Sequence, residues 1–205
     1  TSWNSIDTTI NGSYSNTTDW TTVDSSINGS WSNISITLYD TNWLYCQKIT
    51  INKTQVSENS SVVLHNFPIM FNYTDPTYAY AQPDGDDFVF VDSSKTLKYN
   101  HEIEWFNVSG DNRLIAWVNI TELRADQDTI LYLYYGNATC TSQQNAEGVW
   151  DSNYLAVYHF KETDFPYVDS TNNHNNITTG NAPTRETGIL GYRQHFDGAA
   201  DYLVI

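Results

Sequence analysis

Basic residues are scarce in this chain: 9 Lys and Arg stand against 24 Asp and Glu, a formal net charge of −15 over 205 residues. A surface so poor in cations offers nothing to a phosphate backbone or an anionic bilayer, which argues against nucleic acid and lipid headgroups as partners. No apolar run approaches the ~18–20 residues of a membrane-spanning helix. Cysteine occurs twice and methionine once, so there is no CxxCH haem signal and no thiol array. GxSxG, HExxH, P-loop and GxGxxG motifs are all missing. The five histidines, His65, His101, His159, His174 and His195, form no local metal spacing. There is no signal peptide, and the chain begins at Thr1 without a Met; a processed protein or part of a larger one is expected.

What the chain has instead is aromatic residues, with 15 Tyr, 8 Phe and 7 Trp, and a polar complement dominated by Asn, Thr and Ser. That composition favours strands and turns over helices. The stretch DTILYLYY, Asp128 to Tyr135, is apolar or aromatic on both faces of a strand, as expected for a central strand covered on two sides. LYCQKITI, SSVVLHNFPIMFNY, FVFVD, TLKYNHEIEWFN and RLIAWVNI supply further strands, with Pro68 hinting at an edge or a bulge. The spacing predicts an all-β fold, an antiparallel β-sandwich of jelly-roll-like type over residues 37–147. Residues 148–205 change texture: NYLAVYHFKE reads as a strand, a long polar stretch follows, and HFDGAADYLVI resumes a strand that stops inside an apolar run.

Residues 1–36 contain a repeat. WNSIDTTINGSYSN from Trp3 aligns with WTTVDSSINGSWSN from Trp20 at an offset of seventeen. Asn-Gly is the preferred centre of a type I′ turn, so each unit reads as a short β-hairpin. Two such units bury too little surface to stand alone and need a neighbour.

Eleven Asn-X-Ser/Thr sequons are present, at Asn11, Asn16, Asn28, Asn33, Asn52, Asn59, Asn72, Asn107, Asn119, Asn137 and Asn176. An Asn/Thr/Ser-rich chain generates some by chance, but the density points to a secreted chain carrying N-linked glycans. Two cysteines in such a chain suggest one disulfide, Cys46 to Cys140, against the alternative of two buried thiols.

Two groups of acids merit a chemical reading. Asp84, Asp86 and Asp87 around Gly85 offer hard oxygen ligands for a structural Ca²⁺, although EF-hand spacing is absent. A solvated turn with Gly85 at positive φ explains the same residues without a metal. Glu102 and Glu104 share one face of HEIEWFN, about 6.6 Å apart at strand rise, near the separation of a glycosidase acid and base. The plainer expectation is a solvent-facing acidic pair on a strand whose other face is Tyr99, His101, Ile103 and Trp105. No catalytic residue is assigned, no cofactor beyond that Ca²⁺ is expected, and the chain is not expected to be an enzyme.

TNWLYCQKITI, NFPIMF, DGDDFVFVDSS, YNHEIEWFN, DTILYLYYGN and VWDSNYLAVYHFKE occur in order from Trp43 to Glu162. This run resembles DUF2341, a domain of unknown function in large surface proteins of archaea and bacteria. DSTNNHNN and GILGYRQHFDGAADYLVI resemble the opening of a concanavalin A-like (LamG-type) domain, incomplete here. The EIEWFN stretch comes near the Glu-x-Asp-x-x-Glu strand of laminarinase-like enzymes, with Asn107 where the last carboxylate belongs. The first family usually has a basic residue near Cys46, and the departure supports a disulfide particular to this chain. The resemblance implies an extracellular adhesive or structural role.

Together these features lead to an expectation of a glycosylated archaeal cell-surface protein, a subunit of a filament, sheath or surface layer. It would form a homo-polymer through exchange of strands or of the 1–36 arm. A monomeric carbohydrate-binding adhesin is the alternative, and a glycoside hydrolase on Glu102 and Glu104 the remote one.

Overall fold

The computed structural model describes residues 42–181 and 183–205. The repeat arm over 1–36 and the sequons at Asn11, Asn16, Asn28 and Asn33 lie outside the described residues.

Six strands form two antiparallel sheets. The first has the order β1 (Tyr45–Ile51), β6 (Thr129–Tyr135), β3 (Val89–Asp92); the second has the order β2 (Val63–Thr74), β5 (Arg113–Arg124), β4 (His101–Asn107). Their facing sides share one core. Phe90, Leu131, Leu133 and Tyr135 from the first sheet meet Phe71, Ile103, Leu114, Ala116, Val118 and Ile120 from the second. The expected all-β antiparallel sandwich is therefore the observed fold. DTILYLYY lies between β1 and β3, with Ile49 opposite Leu131 and Val91 opposite Tyr132. Its second face is covered too, because Tyr134 packs with Trp43, Val89 and Val91 in a smaller cluster bordered by Cys46, Tyr132 and Cys140. Pro68 sits in β2, an edge strand, where its missing N–H costs no ladder bond.

Residues 148–205 lie against the outer face of the second sheet. Trp150 meets Trp117 with ring centroids 5.4 Å apart, and Tyr192 meets Trp105 at 5.2 Å. Among the described residues, regular structure in this cover is limited to two short ladders, β7 (Thr179–Asn181) with β10 (Tyr202–Val204) and β8 (Thr184–Thr187) with β9 (Tyr192–His195). The strand expected over NYLAVYHFKE does not form. Its backbone bonds go elsewhere: Val157 N–H donates to the Asp169 carboxylate at 2.9 Å, the Val157 carbonyl accepts from Ser170 N–H at 2.9 Å, and Phe160 turns to φ +51°. Among the described residues no helix is long and apolar enough to cross a membrane.

Candidate functional site

Strand β4 carries one residue too many for its partner. Ile103 pairs with Ala116 and Trp105 with Ile115, leaving Glu104 as a bulge. Before it, His101 and Ile103 face the core and Glu102 faces out; after it, Phe106 faces the core and Trp105 faces out. A bulge thus puts Glu102 and Trp105 on one outer face, with Glu104 held between them. The expectation that Trp105 lies opposite the acids fails for this reason.

That outer face is not open to solvent. Glu102 is 2% exposed. Its Oε2 accepts from Trp150 Nε1–H at 3.0 Å and its Oε1 from Ser170 Oγ–H at 2.6 Å, with Lys161 Nζ 3.9 Å from Oε1. Glu104 Oε2 accepts from Trp117 Nε1–H at 3.1 Å. Between the two acids stands His159, delivered by the irregular cover. Its Nδ1 lies against Glu104 Oε2, and its Nε2 lies 3.0 Å from Glu102 Oε2, where the N–H points off the oxygen and the contact is ionic rather than a directed hydrogen bond. The solvent-facing pair of the sequence reading is therefore a buried Glu–His–Glu cluster.

Burial alone would drive the His159 proton off, but contact with Glu102 and Glu104 outweighs it and lifts its pKa to about 9. For Glu102 burial works in the opposite sense; His159, Ser170 and Trp150 prevail and hold its carboxyl below the usual range. At neutral pH the centre is an imidazolium against an ionised Glu102. A cleft of about 240 Å³ opens beside it, lined by Glu102, His159, Lys161, Glu162 and Ser170 among others. A glycosidase needs room for a sugar and a water between its two carboxyls. Here His159 fills that space. The chemistry this arrangement suits is cohesion, joining cover to sheet through charges that are buried and paired.

Nothing local in the sequence links His159, Trp150 or Ser170 to Glu102, because 48 to 68 positions separate the bonded pairs. On the opposite, core-facing side of β4, His101 is fully buried edge-on to Phe90 at 5.3 Å, with neither ring nitrogen hydrogen-bonded among the described residues. Burial lowers its pKa to about 3, so it is neutral.

Asp84, Asp86 and Asp87, the residues expected to hold Ca²⁺, are not gathered into one group of ligands in this structure. Asp84 Oδ1 accepts from Asp86 N–H at 3.1 Å in a local turn. Asp87 points inward and accepts from the backbone N–H groups of Gln82 at 2.8 Å, Gly136 at 2.7 Å and Asn137 at 2.9 Å. It ties the turn after β6 to the loop before β3. Gly85 and Gly136 adopt φ +77° and +85°, and a Cβ at Gly136 would stand 2.6 Å from the Tyr45 ring. Among the described residues no group of three or more His, Cys, Asp or Glu is arranged for a metal.

The Cys46–Cys140 disulfide is likewise not formed: both thiols are free. Each has its own partners. Cys46 shares a hydrogen bond with Tyr134, while Cys140 Sγ accepts from Gln82 Nε2–H at 3.4 Å and lies 3.4 Å from the Asn137 carbonyl.

The described sequons fall into distinct environments. Asn52, Asn59 and Asn72 are exposed, and Asn107 and Asn176 are half-buried. Asn119 and Asn137 are buried. Asn119 Nδ2 donates to the carbonyls of Gly148 at 3.0 Å and Val149 at 3.1 Å, which leaves that nitrogen no room for a glycan in the folded chain.

Comparison with curated proteins gives no match, and comparison with solved structures gives none either. Residues 84–178 carry β3 to β6 together with Trp150, His159 and Ser170, and so span the boundary expected at 147/148. This segment matches the family described as a domain of unknown function, DUF2341.

Proposed function

We propose that the chain is an extracellular, glycosylated structural protein, a subunit of an archaeal surface filament, sheath or surface layer that assembles through β-strand contacts between copies. The observation that carries this reading is the edge of β2. The strand has 12 residues and pairs on one side with β5; among the described residues no strand pairs with its other side. Met70 and Tyr73 stand 41% and 48% exposed beyond Pro68. Long edges with exposed apolar residues are templates for another chain, and Pro68 confines the template to the second half of the strand. Two copies joined edge to edge by β2 make a closed pair, so a polymer needs a second contact. That contact is assigned to the 1–36 arm. Reading 148–205 as the opening of a concanavalin A-like domain belongs to the same proposal.

The His159 cluster supports a non-enzymatic role, because it occupies the space between Glu102 and Glu104, the acid pair read as glycosidase-like. Electron microscopy of the full chain tests the proposal. Polymers are expected from the unaltered protein, while Met70→Lys and deletion of residues 1–36 should each reduce it to small species. Intact polymers from both variants would sink the proposal. Site-resolved glycopeptide mass spectrometry of the same material should find glycans at Asn52, Asn59 or Asn72 and none at Asn119 or Asn137. A monomeric protein that scores on a glycan array would favour the adhesin reading instead.

A further inference from the structure

Strand β1 lies at the edge of the first sheet. It pairs with β6 on one side, and among the described residues no backbone group bonds it on the other. Not one of its seven residues is buried. Tyr45, Ile49 and Ile51 face the core, yet they are only half-buried where Phe90, Leu131 and Leu133 of the same sheet are fully so. The first half of the strand has a cover, because Tyr80 stacks on Tyr45 with ring centroids 4.9 Å apart and Tyr78 O–H donates to Gln47 Oε1. Past Gln47 that cover ends. Ile49 and Ile51 therefore stand at a gap in the core, with unpaired backbone beside them.

An occupant of this gap has to be an extended segment with one apolar side, since the edge offers ladder bonds and the core offers apolar area to cover. On the outer side it meets Lys48, which is exposed and pairs with no carboxylate among the described residues. That side of the occupant is best served by an acid. The sequence of residues 1–36 meets these terms twice. Ile6, Thr8 and Ile10 fall on one side of a strand and Asp7 on the other; Val23, Ser25 and Ile27 repeat the pattern with Asp24. Residues 1–36 contain three Asp and no Lys, Arg or His. The chain itself enters β1 from the far side. Trp43 packs with Val89 and Val91 of β3, and its Nε1–H donates to the Asp87 carbonyl at 2.8 Å, two strands away from the free edge. The chain's path into β1 therefore favours an arm that comes from elsewhere.

We propose that the free edge of β1 is the seat for the arm of another copy of this chain. Residues 6–10 or 23–27 of that copy add as a strand beside residues 48–51, with their apolar side over Ile49 and Ile51 and their aspartate beside Lys48. This rests on the assembly reading above and gives the arm its receptor. An arm of one copy held by an edge of the next is a heterologous contact, so it propagates where a symmetric β2 pair closes.

Charge exchange in the full chain tests this, with polymer formation followed by light scattering and electron microscopy at low salt, where surface charges are least screened. Lys48→Glu sets like charges side by side, and so does Asp7→Lys combined with Asp24→Lys. Each of these two proteins should need about tenfold more subunit to polymerise, the swing from an attractive to a repulsive cross-strand pair. All three substitutions on one chain should restore assembly. An equimolar mixture of the two defective proteins should assemble as well, because each supplies the charge that the other's seat or arm lacks. Rescue on one chain without rescue by mixing places the arm on its own β1 and overturns the proposal. Defects that neither exchange repairs overturn it too, as do polymers unchanged in both defective proteins. If Met70→Lys still dissolves polymers that survive the charge changes, the assembly reading stands without this seat. Absence of polymers from the unaltered protein overturns both.

Discussion

The side chain with the most consequence in this molecule is His159. It reaches Glu102 and Glu104 from a segment with no regular structure, and the three groups form a charged centre that water barely reaches. Its folded pKa, about 9, lies above the ordinary histidine value of 6.5. A raised pKa means that its contribution to stability is complete below about pH 6.5 and is lost as pH climbs through 9. His159→Leu leaves Glu102 and Glu104 without a countercharge. The expected cost is about 3–5 kcal/mol near pH 6, as when a buried pair loses one partner. Urea unfolding from pH 5 to 10 should show the two proteins converging on the alkaline side. Glu102 has the opposite sign: its pKa is depressed, so its contribution holds above the ordinary carboxyl range and falls away in acid. His101 also counts against acid, because its lowered pKa means the unfolded chain takes up a proton below about 6.5 that the fold refuses.

At the scale of elements, the strands were legible because their alternation is local. DTILYLYY shows two apolar faces, and it is the centre strand of its sheet with both faces covered. The DGDD turn was legible as a turn with Gly85 at positive φ, yet the inward aim of Asp87 was not, since its partners Gly136 and Asn137 lie beyond β6. HEIEWFN misled for a different reason. Simple alternation assigns Trp105 to the side of Ile103, and a single bulged residue at Glu104 moves it to the other. Nothing in seven residues announces a bulge; the partner strand sets it. Glu104 is the extra residue, so deleting it leaves Ile103 opposite Ala116, Trp105 opposite Ile115 and Phe106 opposite Leu114, and the faces keep their assignments. The expected cost is that of the lost carboxylate contacts with His159 and Trp117, about 1–3 kcal/mol, and not that of an inverted strand. Glu104→Gln keeps the register and loses one ionic contact. Comparative urea unfolding of the two variants checks the difference.

Across the whole molecule, the sandwich and its cover are built to different standards. The sandwich has long ladders and a continuous core, whereas the cover has two short ladders and leaves Leu155, Ile189 and Ile205 more than two-thirds exposed. Trp150, His159 and Ser170, three points of the cover, all end on the one carboxylate of Glu102. Attachment concentrated at one group fails at once when that group fails, so loss of structure should run in a fixed order. Cleavage by a non-specific protease in mild denaturant should first remove pieces beyond residue 148 and leave a resistant fragment ending near 147. Single-step loss of both parts together would show instead that they melt as one unit. Along a filament, the same weakness would act as a fuse: tension or alkali would strip the cover from each subunit while the sandwiches, and any joint between their edges, stayed whole.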